Sequence, residues 1–197
     1  IKECSNLELV GLQAYEGHLT PMMDAEQRKE QTENCMQMAV KTRDIINSEG
    51  FQIGYITASG SGTYNFSAKV DGITEIQPGT YVFSDEHLHR VSPEFEIATT
   101  VVGTIQSQTG KREFTLDAGS KAVPTGDGKP EFKDYPKNRI RIITEEHTQF
   151  KSSGKYELEL GKKLELIPAH ICTTCNLYDF YNVKKDNKII ARWDIMA

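Results

Sequence analysis

Short apolar runs and one long amphipathic segment alternate over the first ninety residues. Three runs have the composition of buried or extended strands: residues 7–12, 51–57 and 76–83. Between the first two, Asp24 predicts the N-cap of a helix that runs to about Glu49, and Gly50 predicts its end. The spacing predicts a buried stripe on this helix: Cys35, Met38, Ala39, Thr42 and Ile46. Strand, helix and strand in this order are typical of parallel α/β architecture.

The pattern changes after Pro93, where short alternating runs are separated by turn residues and no long helical period remains. Strands are predicted over residues 96–105, 112–116, 139–143, 155–160, 163–168, 180–183 and 188–193. We therefore expect an α/β part over residues 1–90 and an antiparallel all-β domain over residues 91–197, with the boundary near residues 86–95.

Composition excludes several classes of function. The 197 residues are 38% hydrophobic and 26% charged, which is ordinary for a globular protein. A net charge of −5 gives no electrostatic footprint for nucleic acid, and no apolar run approaches the ~20 residues that span a bilayer. Four cysteines do not suggest a disulfide framework, so we expect a reducing, cytoplasmic setting.

Two glycine-containing turns follow predicted strands. In Ser59-Gly-Ser-Gly-Thr63, small residues let backbone N–H groups approach an anion, although a flexible strand-to-helix turn explains the same residues. In Gln77-Pro-Gly-Thr-Tyr81, the alternative is an ordinary type II turn. Two such loops suited to one phosphate make a stronger signal than either alone.

The segment after the first strand carries further polar and aromatic candidates. Tyr15 is placed to stack on a planar ring, and Glu16 and His18 are candidate acid–base groups or simple loop residues. In the β domain, Asp117-Ala-Gly-Ser-Lys121 and Glu145-Glu-His147 either face a site or form solvated turns.

His170 and Cys172 are the strongest candidates for metal ligands. Alternate residues of a strand point to one face, so a strand through this run would bring an imidazole and a thiol together. Two interpretations remain open. His170, Cys172 and Cys175 could be part of a structural zinc site, or His170 and Cys172 could belong to a catalytic site completed by water or substrate. A redox pair is disfavoured because no thioredoxin-like helix is predicted to follow.

Taken in chain order, these motifs resemble those of D-threonine aldolases and D-serine dehydratases, which are fold-type III pyridoxal-phosphate enzymes related to alanine racemase. The matching segments are Gly11–Tyr15, Ser59–Tyr64, Thr74–Phe83, Asp117–Lys121, Glu145–His147 and Ile167–Cys172 with Asn176-Leu177. The resemblance covers nearly the whole chain and implies a TIM-type (β/α)8 barrel followed by a β domain. Residues 1–90 would supply the later barrel strands, and residues 91–197 the β domain with the metal site.

The resemblance also implies what is missing. Family members carry the Schiff-base lysine on the first barrel strand, and this sequence has no matching motif, since Lys121 lies in the β-domain motif. We therefore expect the chain to be a fragment that needs an N-terminal half or a companion chain, and to form a homodimer.

Residue by residue, the resemblance implies three groups of site residues. The pyridine ring would be flanked by Gln13 and Tyr15, with Gln77 near its nitrogen, where a neutral amide leaves that nitrogen less firmly protonated. The phosphate would be held by Gly60, Ser61, Gly62, Thr63, Gly79, Thr80 and Tyr81. His170 and Cys172 match the metal ligands, through which they would act in catalysis.

The implied activity is a lyase for D-3-hydroxy amino acids. Such an enzyme dehydrates D-serine to pyruvate and ammonia, or cleaves D-threonine to glycine and acetaldehyde, with a metal beside the substrate hydroxyl. A thiolate ligand favours zinc over Mn²⁺ or Mg²⁺. Through the resemblance, Cys172 also favours dehydration slightly over aldol cleavage. An amino-acid racemase and a non-catalytic cofactor- or metal-binding homologue are the alternatives.

Overall fold

The computed structural model describes residues 1–155 and 157–196, which divide into two compact units. The first unit comprises Ile1–Val82 and His87–Glu96, and the second comprises Phe83–Glu86 and the residues from Ile97 onward. No helix among the described residues is long and apolar enough to cross a membrane.

The first unit is built on a small parallel sheet. Its elements are β1 (Gly11–Ala14), α1 (Ala25–Ser48), β2 (Tyr55–Ala58), α2 (Tyr64–Ser67), β3 (Glu75–Ile76), a 3-10 helix (Thr80–Val82) and α3 (Glu86–Val91), which begins in the second unit. The strands lie in the order β1-β2-β3, and both pairs are parallel. Each parallel connection carries a helix, so the predicted α/β arrangement is confirmed.

The strand bounds in this unit differ from the predicted ones. Strand β1 begins at Gly11 rather than Leu7, and β2 begins at Tyr55 rather than Phe51. The extended segment predicted over residues 76–83 is wrong beyond Ile76, because a 3-10 helix follows the turn. Pairing decides these bounds, since a strand extends only as far as a partner accepts its hydrogen bonds, and apolar composition does not report that.

Helix α1 confirms the predicted N-cap and end. The Asp24 carboxylate accepts the N–H of Gln27 at 2.9 Å, and Gly50 follows the helix with a φ of +87°. The predicted stripe is partly wrong, because Met36 is fully buried whereas Met38 is 63% exposed.

The buried face of α1 is instead formed by Arg28, Thr32, Met36 and Ala39. Arg28 occupies it because its guanidinium donates to the carbonyls of Met22 and Val91, the second at 2.9 Å. A buried polar residue held by backbone carbonyls in this way is not visible in a pattern of apolar residues alone.

The second unit is antiparallel, as predicted, and its described residues form no long helix. Its elements are β4 (Val101–Gly110), β5 (Glu113–Leu116), β6 (Glu131–Phe132), β7 (Arg139–Ile143), β8 (Thr148–Lys151), β9 (Lys163–Ile167), α4 (Ile171–Cys175), β10 (Phe180–Lys185) and β11 (Lys188–Asp194). Six strands form one sheet in the order β6-β9-β4-β5-β8-β7, and β10 pairs with β11 as a hairpin.

The strands of this unit differ from the predicted ones in three ways. Residues 157–160 are not a strand, while Tyr156 of the same prediction lies outside the described residues. Strands β6 and β8 were not predicted, the first because it has two residues and the second because Phe150 is its one large apolar side chain. The first β-domain strand begins at Val101 rather than Glu96.

Each unit has its own core. In the second unit the buried Phe150 ring lies 4.7 Å from that of Phe132 and 5.6 Å from that of Phe114, between centroids. Such aromatic contacts add to the burial of the sheet's inner face. In the first unit Met36, Ala58 and Val70 form a smaller cluster.

Glu165 on β9 is the centre of a polar network on the second unit. Its carboxylate accepts hydrogen bonds from Lys184 at 2.5 Å, Thr100 at 2.9 Å and Lys133 at 3.0 Å. Partial burial alone would raise the pKa of this carboxyl, but the three donors outweigh it and hold the pKa at about 2. The network therefore links β9 to the segments at residues 100 and 133 and to β10.

We expect Glu165→Gln to lower the free energy of unfolding by about 1–2 kcal/mol at pH 7, allowing for solvent screening of a pair at the surface. Because the folded pKa lies below the ordinary value of 4.5, the contribution is complete above about pH 4.5 and is lost as the pH falls towards 2. Urea unfolding at pH 7 and pH 3 measures both effects. Glu159→Gln, at an exposed position, is the matched control, and an equal loss in both variants would contradict this assignment.

Candidate functional site

Three loops of the first unit begin at the same edge of the parallel sheet. The register pairs Ala14 with Ala58 and Ala58 with Ile76, so the carboxyl ends of β1, β2 and β3 lie side by side. The residues that follow are Tyr15-Glu16, Ser59–Thr63 and Gln77–Tyr81. Ligands of parallel α/β sheets bind at this edge, and the loops are those the sequence predicted for the cofactor.

The glycine-rich loop after β2 starts in an unusual backbone conformation. Ser59 has a φ of +79°, in the left-handed region that non-glycine residues seldom adopt. Its N–H donates to the Glu16 carboxylate at 3.1 Å. Such a conformation persists where the surroundings fix it, and this hydrogen bond is one of the contacts that do so.

Glu16 lies beneath the loop and is only 2% exposed. Its second oxygen accepts the hydroxyls of Thr63 at 2.5 Å and of Ser67 at 3.0 Å. Burial first, and the charge of Glu16 second, raise the pKa of the nearby Cys35 thiol, which therefore stays protonated. Glu16, one of two candidate acid–base groups in the sequence, is thus engaged in holding the loop, whereas His18 is exposed.

Two glycines let the loop pack closely against the segment after β1. A Cβ at Gly62 would lie 2.4 Å from the carbonyl oxygen of Thr20, which no side chain tolerates. A Cβ at Gly60 would lie 3.1 Å from Cε2 of the Tyr15 ring. Tyr15 is still 58% exposed, so its ring rests beside the loop and remains largely accessible.

The two predicted phosphate loops are joined directly. The N–H of Tyr81 donates to the Ser61 hydroxyl oxygen at 3.0 Å. Within the described part of the chain, the N–H groups of Ser61, Gly62 and Thr80 donate to no protein acceptor. Ser61 and Gly62 are buried, and buried backbone donors require a partner, so this is a place where an anion fits.

Gln13 and Gln77, predicted beside the cofactor's pyridine ring, contact each other. The Gln13 side-chain amide donates to the Gln77 side-chain carbonyl at 3.2 Å. Both side chains are exposed. The structure thus brings the predicted ring-binding and phosphate-binding residues together within one unit.

The strand predicted through His170 and Cys172 is wrong. Strand β9 ends at Ile167, His170 is the N-cap residue of α4, and Cys172 lies in that helix. The strand ends because the carbonyl of Pro168 accepts the N–H of Glu86, while the Asp85 carboxylate accepts the N–H of Ile171 at 3.0 Å. The alternation argument that aimed both side chains at one point therefore does not apply.

Around His170 and Cys172, the residues that the structure describes do not assemble a complete metal site. Nδ1 of His170 lies 3.7 Å from the Asp127 carboxylate, and Cys172 is exposed. Cys175 instead accepts the hydroxyl of Tyr181 at 3.0 Å, and burial together with this bond raises the pKa of Tyr181 to about 12. Among residues 1–155 and 157–196, no three His, Cys, Asp or Glu side chains are grouped to hold a metal ion. Structural zinc on His170, Cys172 and Cys175 is therefore not supported.

The redox alternative for Cys172 and Cys175 is disfavoured in the sequence because no thioredoxin-like helix is predicted to follow them. Both cysteines lie within α4, which has only five residues and ends at Cys175, and the next element along the chain is strand β10.

The two polar β-domain motifs lie against each other. The N–H groups of Ser120 and Lys121 donate to the carbonyls of Thr144 and Glu145 at 2.8 and 3.1 Å. The Lys121 ammonium pairs with Glu146 at 2.6 Å, with both side chains more than 60% exposed. An exposed pair of this kind contributes little to stability, so the solvated-turn interpretation fits these residues.

Sequence reasoning missed the roles of Ser67 and Asp85. Both are buried polar residues whose partners lie 51 and 86 residues away in the chain, on Glu16 and Ile171. No local pattern signals a partner at that separation. Burial of Asp85 was detectable only from the fold.

Comparison with known proteins places these features in a family. A family described as "Putative serine dehydratase domain" matches residues 98–184. The 3-hydroxy-D-aspartate aldolase of Paracoccus denitrificans (strain Pd 1222) is 27% identical over 98% of this chain and 52% of its own length. The D-threonine aldolase of Arthrobacter sp is 28% identical over 100% of this chain and 53% of its own.

A solved structure agrees with these relatives. The crystal structure of D-threonine aldolase from Filomicrobium marinum superposes with a TM-score of 0.87 at 25% identity, covering 98% of this chain and 54% of that one. The chain spans about half the length of the curated relatives that it matches. From the motif order, the matched domain and this superposition, the chain belongs to the family of D-threonine aldolases and D-serine dehydratases.

Proposed function

We propose that the protein is a pyridoxal-phosphate-dependent lyase for D-3-hydroxy amino acids, and that its first unit binds the cofactor. The observation that carries the proposal is the direct link between the two predicted phosphate loops, Tyr81 N–H to Ser61, beside the exposed ring of Tyr15. The names of the relatives support the substrate class. Because the chain spans about half of them, the activity is proposed for the whole protein.

We further propose that the first unit contributes strands to a TIM-type barrel. Three parallel strands lie in the order of the chain, and each is joined to the next through a helix. This arrangement is the repeating unit of a (β/α)8 barrel, and its ligand-binding edge is the one where the three loops begin.

The residues at this edge suit the cofactor's phosphate and ring. The N–H groups of Ser61, Gly62 and Thr80 would hold the phosphate, and the exposed ring of Tyr15 would stack on the pyridine ring. When bound, pyridoxal phosphate supplies the electron sink for charge that develops on the substrate's α-carbon. The protein residues would supply binding and orientation.

Gln77 would contact the pyridine nitrogen as a neutral group. Its side-chain carbonyl accepts a hydrogen bond from Gln13, so its NH₂ group is the part of the amide that remains available to the ring. An amide N–H donates to an unprotonated nitrogen and offers no negative charge to hold a proton there. The pair would therefore keep the ring nitrogen largely unprotonated.

His170 and Cys172 are proposed as two ligands of a divalent metal. Nitrogen and sulfur donors suit zinc, but two donors fall short of the three or four protein ligands that zinc sites use. Substrate or water, or groups beyond the described residues, would have to complete the set. Asp127, near Nδ1, is placed to orient the His170 ring.

Dehydration and cleavage are both specific candidates within this class. Cys172 favours zinc and dehydration of D-serine, whereas two curated relatives that match almost the whole chain are named as aldolases. The products separate the two, since dehydration releases ammonia and cleavage releases glycine and an aldehyde.

The test is turnover of D-serine and D-threonine by the whole protein with pyridoxal phosphate and zinc, compared with the L-enantiomers. We expect product from D-substrates only. Interconversion of enantiomers without ammonia or glycine would support a racemase instead. Cofactor binding with no turnover of any of these amino acids would support a non-catalytic homologue.

Ser61→Ala tests the joined loops. Loss of the hydroxyl that accepts the Tyr81 N–H should let the loops separate and weaken pyridoxal-phosphate binding by about 5–10-fold, as for one lost hydrogen bond. Equilibrium titration of the cofactor's visible absorbance measures the dissociation constant. Ser5→Ala, at an exposed position, is the control, and unchanged affinity in Ser61→Ala would argue against this phosphate site.

Cys172→Ala tests the metal pair. We expect it to lower bound zinc at least 10-fold relative to the unmodified protein, because one of two proposed donors is lost. Cys175→Ala is the matched control, since its sulfur is engaged with Tyr181, and it should retain zinc. Metal analysis after gel filtration gives the stoichiometry, and equal zinc in both variants would remove Cys172 from the ligand set.

A further inference from the structure

Glu16 makes three hydrogen bonds to a single stretch of the first unit. One oxygen accepts the Ser59 N–H, and the other accepts the hydroxyls of Thr63 and Ser67. A carboxylate that is 2% exposed would be costly to bury without donors, and these three satisfy it. Hydrogen bonds to an ionised acceptor are also stronger than those between neutral groups.

The three donors are distributed so that the whole loop is fixed. Ser59 is the first residue after β2, Thr63 is the last residue before α2, and Ser67 lies within that helix. Between the anchored ends lie Gly60, Ser61 and Gly62. Glu16 thus determines the path of a segment that glycine would otherwise leave free to adopt many conformations.

The same contacts sort the loop's donors into two sets. The Ser59 N–H and the Thr63 hydroxyl are directed to Glu16 and are not offered to a ligand. The N–H groups of Ser61 and Gly62 have no protein acceptor in the described part of the chain, so they remain available to a ligand. Thr63 would therefore serve the phosphate site through the loop's conformation rather than through its hydroxyl.

We propose that Glu16 is a positioning residue for phosphate binding, which holds the Ser59–Thr63 loop in the conformation that presents the Ser61 and Gly62 amides to the cofactor's phosphate. This inference rests on the proposed function of the loop. Glu16 does not touch the phosphate, with which its negative charge would be repulsive. Its effect is to arrange the loop before the ligand arrives, so that binding does not have to order it.

Glu16→Gln in the whole protein is the first test. The amide replaces one accepting oxygen with an NH₂ group, which cannot accept from the loop donors. We expect the affinity for pyridoxal phosphate to fall about 10-fold or more, as for loss of a hydrogen bond to a charged group, and inorganic phosphate to compete less well. Binding of pyridoxal, which has no phosphate, should be unchanged.

Three further variants make the result specific. Glu30→Gln, on the exposed face of α1, removes the same charge and should leave all three affinities unchanged. Glu16→Asp keeps the negative charge on a shorter side chain and should retain part of the pyridoxal-phosphate affinity that Glu16→Gln loses. If circular dichroism shows that Glu16→Gln does not fold, Ser67→Ala takes its place, because this variant removes one donor to Glu16 from outside the loop. We expect it to lower the affinity for pyridoxal phosphate about 3-fold and to leave the affinity for pyridoxal unchanged.

The outcomes separate this inference from the proposed function. Pyridoxal-phosphate affinity that is unchanged in the variant, or that falls equally with that of pyridoxal, overturns the positioning role and leaves the cofactor site standing. If the unmodified protein binds neither pyridoxal phosphate nor inorganic phosphate, the proposed function fails and this inference fails with it.

Discussion

The parallel register of β1, β2 and β3 is the constraint on which the candidate cofactor site depends. Because Ala14, Ala58 and Ile76 are paired across the sheet, the three chain segments that follow them must leave at one edge. That pairing brings residues separated by more than sixty positions in the chain near each other, and the side chains of Gln13 and Gln77 form a hydrogen bond. A shift of one residue would turn every side chain of the shifted strand to the other face and separate these groups.

Polar groups buried under this edge then fix what the strands bring together. Glu16 anchors the loop after β2, and Ser61 links that loop to the one after β3. Glycine at position 62 is required because the Thr20 carbonyl occupies the space that a side chain would need. Flexible residues therefore form a defined loop, because contacts with their neighbours restrict its backbone conformation.

In the second unit, strand pairing does not determine the structure around His170 and Cys172. Here the backbone of the segment pairs with residues 85 and 86 rather than with another strand, and a short helix replaces the expected extended chain. The two donor side chains remain close in sequence, but their directions are set by the helix start. The hydroxyl of Tyr181 donates to Cys175, which lies three residues after Cys172 on the same helix.

The sequence by itself determined the long helix from Asp24, the change from α/β to antiparallel structure after Pro93, and the family through six motifs in one order. These depend on local signals, such as caps, periodicity and turn residues, which act over a few positions. Only the tertiary structure decided that Met36 rather than Met38 is buried, that Phe150 makes β8 a core strand, and that His170 begins a helix. It also decided that Glu16 holds the glycine-rich loop. Each of these outcomes depends on a hydrogen-bond or packing partner that is distant in the chain, and a partner of that kind leaves no mark in the local pattern of residues.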